Sequence, residues 1–157
     1  MNKKLRVGIF SFTGDEGCVI TLTEILNDYL LKWQELVDIV YCRQLRNKND
    51  DTNLDIAIVE GAIATEKELN RIKQIRANSK KILAIGNCAL IGSPSNLRNN
   101  FPVGIQKEIQ PLLDKWKHLP KVLSIKEVIT VDAEVPSCPM DETLFIENFE
   151  KTISSLQ

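Results

Sequence analysis

Several familiar signatures are missing or thin in this 157-residue chain. No run of about 18 apolar residues marks a membrane span. With a net charge of -1 and interspersed Lys and Glu, there is no basic stripe to favour nucleic acid. Met1 to Lys4 leads straight into a strand whose apolar run is too short for a signal-peptide core, which points to the cytoplasm. No Pro/Gly/Ser-rich linker, repeat or low-complexity segment divides the chain, so residues 1–157 are expected to form one domain, with 43% hydrophobic residues to bury. The single histidine, His118, stands in the run Lys-Trp-Lys-His-Leu-Pro and reads as a solvated surface residue without a role. Four cysteines in a reducing compartment are ligands or bystanders rather than disulfides.

What is present is alternation of strand and helix. Leu5 to Phe10 is a short apolar strand, and Val19, Leu22, Ile25, Leu26, Tyr29 and Trp33 then recur at helical spacing. Val37 to Tyr41 and Leu54 to Val59 are further strands, separated by the polar connection 43–53. Thr65 and Glu68 form a capping box for a helix carrying Leu69, Ile72 and Ile75. Lys81 to Ile85 is a fourth strand, stopped by Gly86. Prolines blur the stretch from Ser93 to Pro120, where Ile105 to His118 is compatible with a helix begun or interrupted at Pro111. Val128 to Val131 reads as a last strand, Asp132 to Met140 as a loop, and Phe145, Phe149, Ile153 and Leu156 as one face of a final helix. This succession predicts an α/β fold, a flavodoxin-like three-layer sandwich. Its parallel sheet has the order 2-1-3-4 with a fifth strand, and helices cover both faces.

The chemistry gathers at the carboxyl ends of the strands, where such folds hold their ligands. In the first loop, Ser11-Phe12-Thr13-Gly14-Asp15-Glu16-Gly17-Cys18, two glycines allow a sharp turn. Two carboxylates and a thiol stand within four residues, a mixture that suits a metal better than a phosphate. Cys18 follows the first strand, Cys88 the fourth and Cys138 the last, so three thiols far apart in sequence converge on one edge of the sheet. In a reduced protein, soft-metal ligation best explains that convergence. Cys42 closes the second strand with no glycine or proline beside it and reads as packing. Glu60 follows the third strand and reads equally well as a turn-capping carboxylate or as a site residue.

Gly17-Cys18, Asp55 to Gly61, Gly86-Asn87-Cys88-Ala89, Val131-Asp132 and Val135-Pro136-Ser137-Cys138-Pro139 carry a family resemblance. In order and spacing they resemble the motifs of the small subunit of nickel-iron hydrogenases, and of the related 20 kDa subunit of respiratory NADH:quinone oxidoreductase. The resemblance runs from about residue 5 to about residue 150, and the short chain is most similar to the small subunits of cytosolic, group 3-type hydrogenases. It implies one proximal 4Fe-4S cluster on Cys18, Cys88 and Cys138. It also implies a nickel-iron large subunit as partner, with flavin and iron-sulfur electron-transfer subunits beyond it. Where the family has the first cysteine of Cys-x-x-Cys, this chain has Asp15, which makes Asp15 the expected fourth ligand; Glu16, Cys42, an external hydroxide and a three-iron cluster are the alternatives. A second reading is an FMN-binding, flavodoxin-like electron carrier. The first loop resembles that phosphate loop, but Asp15 and Glu16 put two negative charges where a phosphate would sit. A third is the cluster subunit of a quinone-reductase-like complex.

Overall fold

A computed structural model describes residues 3–157; Met1 and Asn2 of the N-terminal stretch considered above lie outside the described residues. The strands are β1 (Leu5–Ser11), β2 (Val37–Cys42), β3 (Leu54–Glu60), β4 (Ile63–Thr65), β5 (Ser79–Ile85), β6 (His118–Leu123) and β7 (Ala133–Val135). The helices are α1 (Gly17–Trp33), α2 (Glu66–Ala77), α3 (Gly86–Ile91), α4 (Val103–Lys115), α5 (Ile125–Val128) and α6 (Glu142–Ser154), with a 3-10 turn over Ser95–Asn100. Five strands make one sheet in the order β2-β1-β3-β5-β7, each neighbouring pair parallel. With β4 and β6 set aside, this is the expected flavodoxin-like order with its fifth strand.

β3 explains the stability of the centre. All seven of its residues, Leu-Asp-Ile-Ala-Ile-Val-Glu, are buried, as a parallel strand covered on both faces requires. Alternate side chains divide between two cores. Val7, Ile9, Ile56, Ile58, Leu83 and Ile85 join α1 and α6 on one face, while Phe10, Ala57, Val59, Ile82 and Ala84 join α2 and α3 on the other. The Thr65–Glu68 capping box at the start of α2 is formed in both directions.

Three local expectations are corrected. The fifth strand is Ala133–Val135, not Val128 to Val131. A second capping box, Ser124 with Glu127, turns Ile125–Val128 into one turn of helix. The Asp132 carboxylate then accepts the Ile82 N–H at 2.8 Å while its own N–H donates to the Ile82 carbonyl at 2.9 Å, so pairing with β5 begins only there. The helix expected within Ile105 to His118 runs from Val103 to Lys115 with Pro111 inside it. No residue of α4 is buried, so water can reach the carbonyl that Pro111 leaves without its helical partner. His118 is half-buried rather than solvated: it opens β6, and its Nδ1 lies 3.2 Å from the Ala64 carbonyl. β6 pairs antiparallel with β4, and this two-stranded sheet has no counterpart in the sequence reading.

Candidate functional site

β1 and β3 lie side by side at the centre of the sheet, and their exits are stitched together. Phe12 N–H donates to the Glu60 carbonyl at 3.0 Å, and Thr13 and Ala62 exchange backbone hydrogen bonds of 3.0 and 2.7 Å. Gly61 makes this possible: at φ 85° it passes so close to Phe12 that a Cβ would meet its backbone at 2.6 Å. The loop then turns through Asp15, whose Oδ1 accepts the Gly17 N–H at 3.0 Å. Glu16 is left-handed, φ 62°, and α1 starts immediately after it. Cys18 is thereby fixed in the first turn of α1.

The other two thiols are held by a reciprocal clamp. Asn87 N–H donates to the Ser137 carbonyl at 3.0 Å, and Ser137 N–H donates to Asn87 Oδ1, also at 3.0 Å. Asn87 precedes Cys88 and Ser137 precedes Cys138, so one residue pair registers two cysteine loops against each other. Sequence reasoning quoted Asn87 only as part of the motif Gly86-Asn87-Cys88-Ala89 and gave it no role, since nothing in the spacing pairs it with Ser137. Gly86, φ 79°, leaves β5 in a left-handed conformation, and a Cβ there would collide with the Cys18 sulfur. A Cβ at Gly14 would come within 3.9 Å of the Cys88 sulfur.

Asp15, Cys18, Glu60, Cys88 and Cys138 therefore line one pocket of about 60 Å³, with Gly14, Gly17 and Gly61 among its walls. The expected residues come together, and Cys42 does not join them. It is 0% exposed, inside the core at the end of β2. Glu16 turns toward a neighbouring groove, where it accepts the Gln44 amide at 3.1 Å. Among the described residues no three His, Cys, Asp or Glu side chains close on a point as ligands of one metal ion do. The thiols instead surround a space.

The electrostatics of that space are uneven. Burial pushes the Cys18 thiol up to about 11, and the negative charges of Glu60, Cys88 and Cys138 act in the same direction. Burial also raises Cys88, followed by Cys138, Asp15 and Glu60. Burial raises Glu60 against the lowering pull of the Ser11 hydroxyl and the Val19 and Cys18 N–H groups, and no donor reaches its Oε1 with full hydrogen-bond geometry. Cys138 and Asp15, by contrast, are exposed. The pocket thus has a deep side of Cys18 and Glu60 and an open side at the protein surface.

Known proteins resemble this chain in sequence and, separately, in fold. The gamma subunit of coenzyme F420 hydrogenase from Methanosarcina barkeri is 30% identical over 148 residues, which cover 88% of this chain and 50% of that protein. The delta subunit of sulfhydrogenase 2 from Pyrococcus furiosus is 28% identical over 141 residues, 88% of this chain and 57% of that one. The chain thus spans about half the length of these curated relatives. Among solved structures, a chain of an NAD+-reducing NiFe-hydrogenase in the H2-reduced state superposes with a TM-score of 0.83 at 22% identity, covering 98% of this chain and 93% of that one, and so shares the fold. No described helix is long and apolar enough to cross a membrane. A family model matches residues 16–152, the span that holds every strand after β1 and all three pocket cysteines, and by that match the chain belongs to the family of the NADH ubiquinone oxidoreductase 20 Kd subunit.

Proposed function

We propose that this chain, acting as one domain over residues 1–157 in the cytoplasm, is the electron-transfer small subunit of a nickel-iron hydrogenase and binds one 4Fe-4S cluster. The observation that carries this reading is the single pocket lined by Cys18, Cys88 and Cys138, delivered by three different strand ends. A cubane places its irons at separate corners, so its ligands surround a volume instead of meeting at a point. Cys18, Cys88 and Cys138 would hold three corners, and Asp15, on the same pocket, the fourth. When bound, the cluster supplies one-electron redox chemistry. The protein's part is to supply thiolates from thiols whose burial favours the protonated form, so loading releases protons and weakens as pH falls.

The position of the pocket also supports a relay. On its open side a bound group would lie at the surface, within approach of a large subunit's nickel-iron site and of separate flavin and iron-sulfur subunits. The hydrogenase names carried by the relatives and by the superposed structure favour this reading over an FMN carrier. The anionic Asp15 and Glu16 in the first loop act against a phosphate. The test is anaerobic purification of the native complex with metal analysis. About four irons per chain and nickel in a co-purifying large subunit are expected. A freshly isolated complex without iron, or a yellow, flavin-loaded single chain, would refute the reading.

A further inference from the structure

We infer that Ser11, aimed by Gln44, is a positioning residue: its hydroxyl donates to the Glu60 carboxylate and so tunes the reduction potential of the group held in the three-cysteine pocket. This rests on the cluster reading above and asks only that Glu60 face the pocket. Ser11 closes β1, Glu60 closes β3, and the two are partners in the β1–β3 register. Their side chains therefore leave the sheet on one face, the same face on which Val7, Ile9, Ile56 and Ile58 meet α1. Glu60 is buried and lines the pocket. Ser11 is half-buried and lines the neighbouring groove together with Gln44. The pair thus joins groove and pocket through the sheet edge.

Gln44 settles which way the hydroxyl points, because its carboxamide is gripped at both ends. Oε1 accepts the Cys42 thiol at 3.5 Å, while Nε2 donates to Ser11 Oγ at 3.3 Å and to Glu16 Oε1 at 3.1 Å. Reversed, the amide would set its oxygen against the Glu16 carboxylate, so this orientation is the one that satisfies all three contacts. A hydroxyl has a single proton to give, and Ser11 already uses its oxygen to accept the Gln44 N–H, so that proton is free for another acceptor. Glu60 supplies one. No donor reaches its Oε1 with full hydrogen-bond geometry, and the Ser11 hydroxyl leads the pulls that hold its carboxyl down against burial. A hydrogen bond donated to a carboxylate offsets part of its negative charge, and in a buried site that charge acts on a neighbouring redox group with little screening. Without the donor, an added electron is less welcome and the potential falls. The Cys42 thiol, sealed in the core, gains a part in this chain as the anchor of Gln44.

The test uses the complete complex, isolated anaerobically and held at about pH 8, above the usual carboxylate range. Its readouts are iron content and the cluster's midpoint potential, followed by magnetic spectroscopy in a redox titration, not hydrogen turnover. Ser11→Ala is expected to keep the wild-type iron content and shift the midpoint to a more negative potential, while Ser11→Thr, which retains the hydroxyl, stays at the wild-type value. Gln44→Ala should shift it the same way but less far. Because Gln44 acts only through Ser11, the double variant should match Ser11→Ala alone. An unchanged or more positive potential in Ser11→Ala, a Ser11→Thr that behaves like it, an unchanged potential in Gln44→Ala, or a double variant shifted beyond Ser11→Ala overturns the proposal. So does loss of iron from Ser11→Ala, which would make the serine part of the binding site itself. Iron-free wild-type complex would overturn the cluster reading and this proposal with it, whereas an iron-loaded wild type with any of the preceding results overturns this one only.

Discussion

Replacing Gly86 by alanine should damage the fold and the pocket together. The residue turns the chain out of β5 at φ 79°, and a Cβ there would collide with the Cys18 sulfur. The left-handed conformation costs a non-glycine residue about 1–2 kcal/mol. Pressing a methyl group against a thiol held by α1 adds about 1–3 kcal/mol of overpacking. The expected loss is therefore about 2–5 kcal/mol, a large part of the stability of a domain this size. Gly104 is the control. It is the second residue of α4, with nothing within 4 Å of an added Cβ, so the same substitution should stabilise by up to about 0.5–1 kcal/mol. Denaturant unfolding of the reduced chain, followed by far-UV circular dichroism, reads both variants. The midpoints should move in opposite directions with little change in slope. Because the Cys18 sulfur is the atom displaced, Gly86→Ala should also lower the iron content of the anaerobic complex and Gly104→Ala should not. A Gly86→Ala variant within about 0.5 kcal/mol of wild type, or the two glycines responding alike, would refute the close approach.

Phe145 is 0% exposed, stacked on Phe149 at 5.6 Å and edge-on to Trp33 at 6.3 Å, so Phe145→Ala should cost about 3–5 kcal/mol, measured as a drop in unfolding free energy. Asn87→Ala removes the acceptor for the Ser137 N–H; stability should fall by only about 0.5–1.5 kcal/mol, but iron should be lost to a chelator faster because two cysteine loops lose their register, and an unchanged release rate would contradict the clamp. Burial pushes the Asp132 carboxyl up, but the Ile82 N–H, Arg76 and Lys81 outweigh it and hold it below the usual carboxylate range. Its contribution is present above the unfolded value of about 4 and is lost as pH falls through the depressed folded value, so acid unfolding should be less steep in Asp132→Asn. The Cys18 thiol is raised from an ordinary 9.0 to about 11, so its contribution is complete below pH 9 and is lost as pH climbs toward 11. Iron-free wild type should lose stability over that window, and Cys18→Ser should lose less.

Much of the architecture is local information, which is why it is legible in a single sequence. The apolar run of β3, the helical spacing from Val19 to Trp33 and the Thr65–Glu68 box each fix an element through neighbours a few residues away. Parallel strands joined by helices permit few topologies, so the sheet order follows, and with it the gathering of Cys18, Cys88 and Cys138 at one edge. The misplaced fifth strand shows the limit. Val128 to Val131 has strand composition, but the Ser124–Glu127 box claims its first residue for a helix and Asp132 starts the pairing with β5 later. The β4–β6 sheet joins segments more than fifty residues apart, and neither three-residue β4 nor Pro-containing β6 carries a pattern strong enough to announce it. At the site, sequence alone determines which side chains are present and which strand ends carry them. Tertiary structure alone decides that Asn87 clamps Ser137, that Gly86 makes room for the Cys18 sulfur, that Cys42 is sealed in the core and that no donor reaches one Glu60 oxygen with full hydrogen-bond geometry. Each of these depends on the distance and burial of atoms brought together by folding, quantities that no spacing along the chain encodes.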